Sequence, residues 1–181
     1  MSDEAQSVSA RERQPRPLRP EPLLAALVKH EVEFIVVGGY AVAAHGFARA
    51  TKDIDICPEP GEENFRRLAA ALTELEANAI GLAEFEGEFD LKPDVDGLRH
   101  GGNWTLMTKY GRLDLLQTFN FQGIDGEGEY RDLSSHAVER IFLGHEVSFC
   151  SYDDLLRMKQ AAGRAQDKVD IESLRAARGE L

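Results

Sequence analysis

The sequence has few cysteines, no long apolar run and a shortage of positive charge. Its 181 residues include two cysteines, Cys57 and Cys150, which lie far apart and lack the spacing of a zinc site. This cysteine usage excludes a zinc framework and fits the reducing cytoplasm. No apolar stretch approaches the ~20 residues that cross a bilayer, so we expect no membrane partner. The formal net charge of −11 excludes a generally basic nucleic-acid coat.

The N-terminal segment is poor in large apolar residues. Four of the seven prolines fall between residues 15 and 22. The arginines of this segment have no apolar stretch beside them, so we expect no secretory signal. We predict a disordered tail over residues 1–19. The remaining residues, 20–181, suffice for a single domain with its own core.

The rest of the sequence alternates between helical and strand patterns. Apolar residues at helical spacing predict five helices, at residues 21–30, 40–46, 64–76, 152–162 and 166–178. Apolar runs rich in β-branched residues predict two strands, and glycines predict two hairpins, at 33–37, 51–57, 104–116 and 139–149. Residues 77–102 and 119–135 show no such pattern and are expected to be mostly irregular. The order of elements predicts an α/β (α+β) fold that ends in a pair of helices.

The segment from Phe34 to Cys57 carries the clearest chemical pattern. Its buried strand runs into Gly38-Gly39, and a helix follows. Glycines let a ligand approach the backbone, and a helix N-terminus offers unpaired N–H groups to phosphate. Asp53 and Asp55 then alternate with apolar residues, so both project from one face of a strand about 6.6 Å apart. Two adjacent carboxylates repel each other, and a divalent cation relieves that repulsion.

Asp114 is the candidate for a third carboxylate. It stands alone in an apolar strand, where an unpaired charge is unfavourable. Three such acids can hold two metal ions roughly 3.5–4 Å apart, which stabilise the attacking and leaving oxygens of a phosphoryl transfer. Each feature alone also fits an ordinary role, such as a strand–helix turn or a solvated strand position. Taken together, the glycine pair and the three acids favour a metal site.

This combination of motifs resembles the polymerase-beta-like nucleotidyltransferase superfamily. The signature of that superfamily is a Gly-Gly or Gly-Ser turn, an Asp-x-Asp strand and a third Asp on a later strand. Residues 38–46, with Arg49 and Thr51, look like its stand-alone bacterial branch, which includes abortive-infection toxins of type IV toxin–antitoxin pairs. The segment from Met158 to Glu172 is similar to the Lys/Arg-bearing C-terminal motif of that branch.

The resemblance implies a minimal nucleotidyltransferase fold, in which helices flank a mixed β-sheet. It implies that two Mg²⁺ ions, or Mn²⁺ in their place, are bound by Asp53, Asp55 and Asp114. Asp114 would also serve or orient the base at the acceptor hydroxyl. Lys159 is implied as a catalytic residue, and Asp170 is implied to orient either Lys159 or Arg164. The implied nucleotide-binding residues are Gly38, Gly39, Thr51, Arg164 and Lys168.

We therefore expect a magnesium-dependent nucleotidyltransferase that moves a nucleoside monophosphate from a nucleoside triphosphate to an acceptor hydroxyl. The basic C-terminal end of an acidic chain favours a discrete RNA contact. The resemblance implies tRNA as the acceptor and a cognate antitoxin as a partner, and a protein or a small molecule stays open as the acceptor. Two alternatives stay open: a small-molecule adenylyltransferase of the antibiotic-resistance kind, and a nucleotide-binding regulatory protein without turnover. Lys159, Arg164 and Lys168 also fit the wet face of an amphipathic helix. Arg49 fits either a phosphate contact or an ion pair.

Overall fold

The computed structural model describes residues 17–80, 92–118 and 126–180. The strands are β1 (Phe34–Val37), β2 (Asp53–Pro58), β3 (Asn78–Ala79), β4 (Trp104–Thr108), β5 (Gly111–Leu115), β6 (Val138–Phe142) and β7 (His145–Phe149). The helices are α1 (Pro20–Lys29), α2 (Gly38–Ala44), α3 (Glu62–Glu74), α4 (Val95–Arg99), α5 (Gly126–His136), α6 (Tyr152–Ala162) and α7 (Ala165–Ala177). The strands form one mixed sheet in the order β3-β4-β5-β2-β1-β7-β6.

The centre of the sheet follows from the two apolar strand patterns. All four residues of β1 are buried, as its continuous apolar run predicts. In β2 the burial alternates, because Ile54 and Ile56 face the core while Asp53 and Asp55 face the other side. β1 pairs antiparallel with β2, and β2 pairs parallel with β5. This order brings the two acid-bearing strands side by side in the middle of the sheet.

Helices cover the sheet and position the C-terminal segment. Helix α2 packs against β1 and β2, and α1 packs against α3. The Ser151 hydroxyl accepts the N–H of Asp154 and caps α6, as its position before the helix predicts. Gly163 adopts a left-handed conformation (φ 63°) that ends α6 and lets α7 fold back against it. None of the helices in the described residues is both long and apolar enough to span a membrane.

Three segments were expected to be irregular or disordered, and the structure differs from that expectation or does not describe them in full. The irregular structure expected at 119–135 is wrong in part, because α5 occupies residues from 126 onward and buries Leu133. The 77–102 segment holds the short β3 and α4, and residues 81–91 lie outside the described residues. Most of the predicted tail, residues 1–16, also lies outside them. Near its end, the Arg19 N–H donates to the Tyr110 carbonyl at 2.8 Å.

Candidate active site

A cavity of about 610 Å³ opens beside β2 and β5. Its volume lies within the roughly 300–1,000 Å³ typical of small-molecule sites. Acidic side chains from the two strands line the cavity, and so do basic side chains from α6 and the loops, which are called the basic wall below: Arg49, Lys52, Lys159 and Arg164. Leu116, Leu155 and Met158 add an apolar wall. Of the predicted site residues the lining includes Gly38, Gly39, Thr51, Asp53, Asp55, Asp114, Lys159 and Arg164.

The three predicted carboxylates converge because β2 and β5 run parallel in register. Asp55 lies directly opposite Asp114, and Asp53 lies opposite Arg112. Neighbouring strands are about 4.8 Å apart, and residues two apart on a strand share a face. All three carboxylates therefore face one cavity.

The carboxyl group of Asp55 is strongly perturbed by its surroundings. Burial, followed by the like charges of Asp53 and Asp114, raises its pKa to about 6. The Gly39 N–H, which donates to the Asp55 carboxylate, and the positive charge of Arg112 oppose that shift. The arrangement therefore holds negative charge together at an energetic cost.

The glycine turn is fitted against these acids. Gly38 has a φ of 60°, in the region that only glycine adopts readily. A Cβ atom on Gly38 would lie 2.0 Å from Oδ2 of Asp55, so no side chain fits there. Helix α2 begins at Gly38, earlier than the sequence pattern predicts, and this places the glycines in its first turn. The Thr51 hydroxyl lies beside Gly39 and donates to Asp53 Oδ1 at 3.1 Å.

The three carboxylates fit a divalent cation by their chemistry. Across residues 17–80, 92–118 and 126–180, no group of three His, Cys, Asp or Glu side chains stands in a ready metal-binding arrangement. Arg112 instead forms a bidentate pair with Asp114, at 2.9 and 2.6 Å. The donors are nevertheless hard oxygen ligands, as Mg²⁺ prefers. The repulsion that raises the pKa of Asp55 is also what a bound cation relieves.

Two residues of the basic wall, Lys159 and Arg49, are held in place by the buried carboxylates of Asp167 and Asp170 on α7. Lys159 is only 4% exposed, and its Nζ donates to Asp170 at 2.6 Å and to Asp167 at 3.3 Å. Arg49 donates to both oxygens of Asp170, at 2.8 and 3.0 Å. Although burial opposes it, hydrogen bonds from Arg49, Lys159 and Gln166 lower the pKa of Asp170 to about 2. Of the two residues that Asp170 is expected to orient, it contacts Lys159, whereas Arg164 pairs with Asp167 instead.

Other basic residues differ in how they relate to the cavity. Arg164 lines it and donates to Asp167 at 2.8 Å, although its side chain is 75% exposed. Lys168 is exposed and is not part of the lining, so the structure does not bring it to the other predicted residues. Arg112, absent from the expected site, lies within it. A signal existed for Arg112, because it precedes Asp114 by two residues and so shares its face.

The chain has relatives among proteins of known structure. No family model matches it, and no curated protein matches it in sequence. Among solved structures it is similar to the lincosamide antibiotic adenylyltransferase LnuA with lincomycin bound. The TM-score is 0.57 at 16% identity, and the match covers 90% of this chain and 99% of that chain.

Two further structures share the fold. ANT(2″)-Ia in complex with adenylyl-2″-tobramycin has a TM-score of 0.53 at 15% identity, over 87% of this chain and 86% of that chain. A candidate nucleotidyltransferase from Thermotoga maritima has a TM-score of 0.51 at 18% identity, over 92% of this chain and 98% of that one. At these identities the likeness shows the fold alone. The predicted fold, a mixed sheet flanked by helices as in nucleotidyltransferases, is confirmed.

Proposed function

We propose that the protein transfers a nucleoside monophosphate from a nucleoside triphosphate to an acceptor hydroxyl and releases pyrophosphate. The observation that carries this proposal is the convergence of Asp53, Asp55 and Asp114 in one cavity. That cavity also contains the glycine turn and a basic wall, the two features a triphosphate needs.

Each side chain then has a chemical task. Two Mg²⁺ ions held by the three carboxylates would supply charge stabilisation at the reacting phosphate. Gly38 and Gly39 allow the phosphates to approach the backbone, and Arg49 and Lys159 present fixed positive charge. Asp114 accepts the proton of the acceptor hydroxyl while the oxygen of that hydroxyl forms a bond to the α-phosphorus. The bond from that phosphorus to the β-phosphate oxygen breaks, and pyrophosphate leaves.

For the acceptor we propose tRNA, with the protein acting as a toxin under the control of an antitoxin. Lys52 and Arg164 are exposed residues of the cavity lining, and the exposed Lys168 lies on α7. Exposed cations beside a cavity suit contacts with RNA phosphates. A second candidate acceptor is a small molecule. The fold shared with LnuA and ANT(2″)-Ia, two structures holding an antibiotic or its adenylyl derivative, favours it.

A labelling experiment tests the chemistry and the acceptor together. The four nucleoside triphosphates, each labelled at the α-phosphate, are incubated with Mg²⁺ and with tRNA, cellular protein, a lincosamide or an aminoglycoside. Label is expected on one acceptor. Asp53→Ala or Asp55→Ala should lower the rate at least ~1,000-fold, because several kcal/mol of charge stabilisation is lost.

The control and the contrary outcomes are distinct. Asp96→Ala removes an equal charge from an exposed position on α4 and should leave the rate unchanged. Full transfer by Asp53→Ala would contradict the site assignment. Binding of the nucleotide with no label on any acceptor would instead identify a regulatory nucleotide-binding protein.

A further inference from the structure

Arg112 lies among the three carboxylates of the cavity. Its Nε donates to Asp114 Oδ1 at 2.9 Å, and its Nη2 donates to Asp114 Oδ2 at 2.6 Å. Its Nε also lies 3.7 Å from Asp53 Oδ2. One guanidinium therefore engages both oxygens of Asp114 and neutralises part of the charge of a second acid.

This placement is built into the sheet. Arg112 and Asp114 are two residues apart on β5 and share a face, and the parallel register sets Arg112 directly opposite Asp53. Arginine matches a carboxylate in a planar, two-point fashion, so the pair is specific in geometry as well as in charge. The side chain of Arg112 is nevertheless 39% exposed, whereas that of Asp114 is 11% exposed. Its exposed side leaves Arg112 room to turn away from Asp114 without any movement of the strand.

We propose that Arg112 competes with the divalent metal for Asp114 and so sets the metal affinity of this site, an inference that rests on the proposed function. A cation that binds Asp114 must replace at least one of the two hydrogen bonds from Arg112. The metal can therefore bind Asp114 only as Arg112 gives up part of its contact with that residue. The alternative is that Arg112 acts only through its charge, lowering metal affinity from a distance as any nearby cation does.

Binding of Mn²⁺ alone to the full chain separates these explanations. Free Mn²⁺ is measured by electron paramagnetic resonance at pH 8, without nucleotide, for the wild type and for Arg112→Gln and Arg112→Lys. Arg112→Gln should bind Mn²⁺ at least tenfold more tightly. Arg112→Lys should bind at least threefold more tightly, because an ammonium keeps the charge but cannot hold both oxygens in the same planar manner.

Two controls accompany these variants. Arg140→Gln removes the same charge from an exposed position on β6, where the side chain donates only to the Glu139 carbonyl among the described residues. Its Mn²⁺ affinity should equal that of the wild type. Asp114→Asn should weaken Mn²⁺ binding at least tenfold, alone and in combination with Arg112→Gln. Circular dichroism shows whether each variant is folded. If Arg112→Gln does not fold, Arg112→Lys tests the inference in its place.

The contrary results are specific. Unchanged or weaker Mn²⁺ binding by folded Arg112→Gln overturns the inference, and so does unchanged binding by Arg112→Lys. Unchanged binding by Asp114→Asn also overturns it, because the metal would then lie elsewhere. These results are independent of turnover. If the variants show the predicted Mn²⁺ affinities but the protein transfers no nucleotide, the inference stands and the proposed function is wrong. If the protein transfers nucleotide but the affinities differ from those predicted, the proposed function stands and the inference is wrong.

Discussion

At the scale of single residues, Asp55 has a raised pKa and closely packed surroundings. Its pKa of about 6 results from burial and from Asp53 and Asp114, against the opposing Gly39 N–H and Arg112. Gly38 cannot carry a side chain beside it, since a Cβ would overlap the carboxylate. The surroundings are therefore shaped around a carboxylate that is unfavourable when charged, which is a frequent property of functional acids.

Asp55→Asn is expected to stabilise the metal-free protein at pH 8. The native pKa of about 6 lies above the ordinary value of 3.8, so the native state binds this proton more tightly than the unfolded chain does. Native stability therefore rises as the pH falls through 6, and above pH 6 the ionised group destabilises the fold by about 3 kcal/mol. Asparagine removes that charge and keeps an oxygen for the Gly39 N–H. Urea unfolding in a chelator should show a gain of up to ~3 kcal/mol at pH 8 and almost none at pH 4.

The control for this prediction is Asp96→Asn, which changes an exposed acid on α4. It should alter the unfolding free energy by less than ~0.5 kcal/mol at either pH. A gain from Asp55→Asn that is the same at pH 8 and pH 4 would contradict the assigned charge repulsion.

Local patterns predicted some of these contacts and not others. The shared face of Asp53 and Asp55 was predicted from the two-residue period of a strand, whereas the closeness of Arg112 to Asp114 was not, although the same period implies it. Asp170 is different, because its partners Lys159 and Arg49 are 11 and 121 residues away. These contacts depend on how α6 and α7 fold back over the sheet. No periodicity in the sequence encodes that packing.

At the scale of elements, α7 is attached to the rest of the site through Asp170. This residue is 0% exposed and accepts hydrogen bonds from Lys159 on α6, from Arg49 ahead of β2, and from Gln166 on its own helix. One carboxylate thus joins three parts of the chain. Removal of one partner from a buried ion pair is strongly destabilising, because the other charge is left buried and uncompensated.

Asp170→Asn should therefore lower the free energy of unfolding by about 3 kcal/mol at pH 7. The matched control is Glu172→Gln, which changes an exposed acid on the same helix and should shift stability by less than ~0.5 kcal/mol. Urea unfolding measures both, and hydrogen exchange reports whether the amides of α7 lose protection first. Equal stability of the two variants would show that Asp170 does not hold the helix.

Helices α2 and α5 show where element prediction from sequence ends. The sequence placed the start of α2 after the glycine pair, but Gly38 enters the helix from a left-handed conformation that no composition rule anticipates. Helix α5 contains two glycines and two serines, which are weak helix formers, so its sequence resembles a loop. The complete burial of Leu133 helps to hold it instead. Tertiary packing overrides local preference there.

At the scale of the whole molecule, the strand order creates the site. The sequence places Asp114 about sixty residues after Asp53, and only the parallel pairing of β2 with β5 in the centre of the sheet unites them. The chain carries a net charge of −11, yet its cavity balances acids from the strands with bases from α6 and the neighbouring loops. Any cation bound by the three acids thus joins two central strands and depends on the fold as a whole.

Mg²⁺ should consequently stabilise the entire native chain. An ion that binds only the folded state adds about 2.7 kcal/mol at a hundredfold excess over its dissociation constant. For a chain of this size that corresponds to an increase in Tm of about 5–10 °C. Scanning calorimetry with Mg²⁺, and again after chelation, measures the shift and its reversal. The double variant Asp53→Asn/Asp55→Asn should start from a higher metal-free Tm, because the acid repulsion is gone, and should show no Mg²⁺ shift. An equal shift in wild type and double variant would place the ion elsewhere, whereas a wild type that does not respond to Mg²⁺ would remove the metal from the proposed reaction.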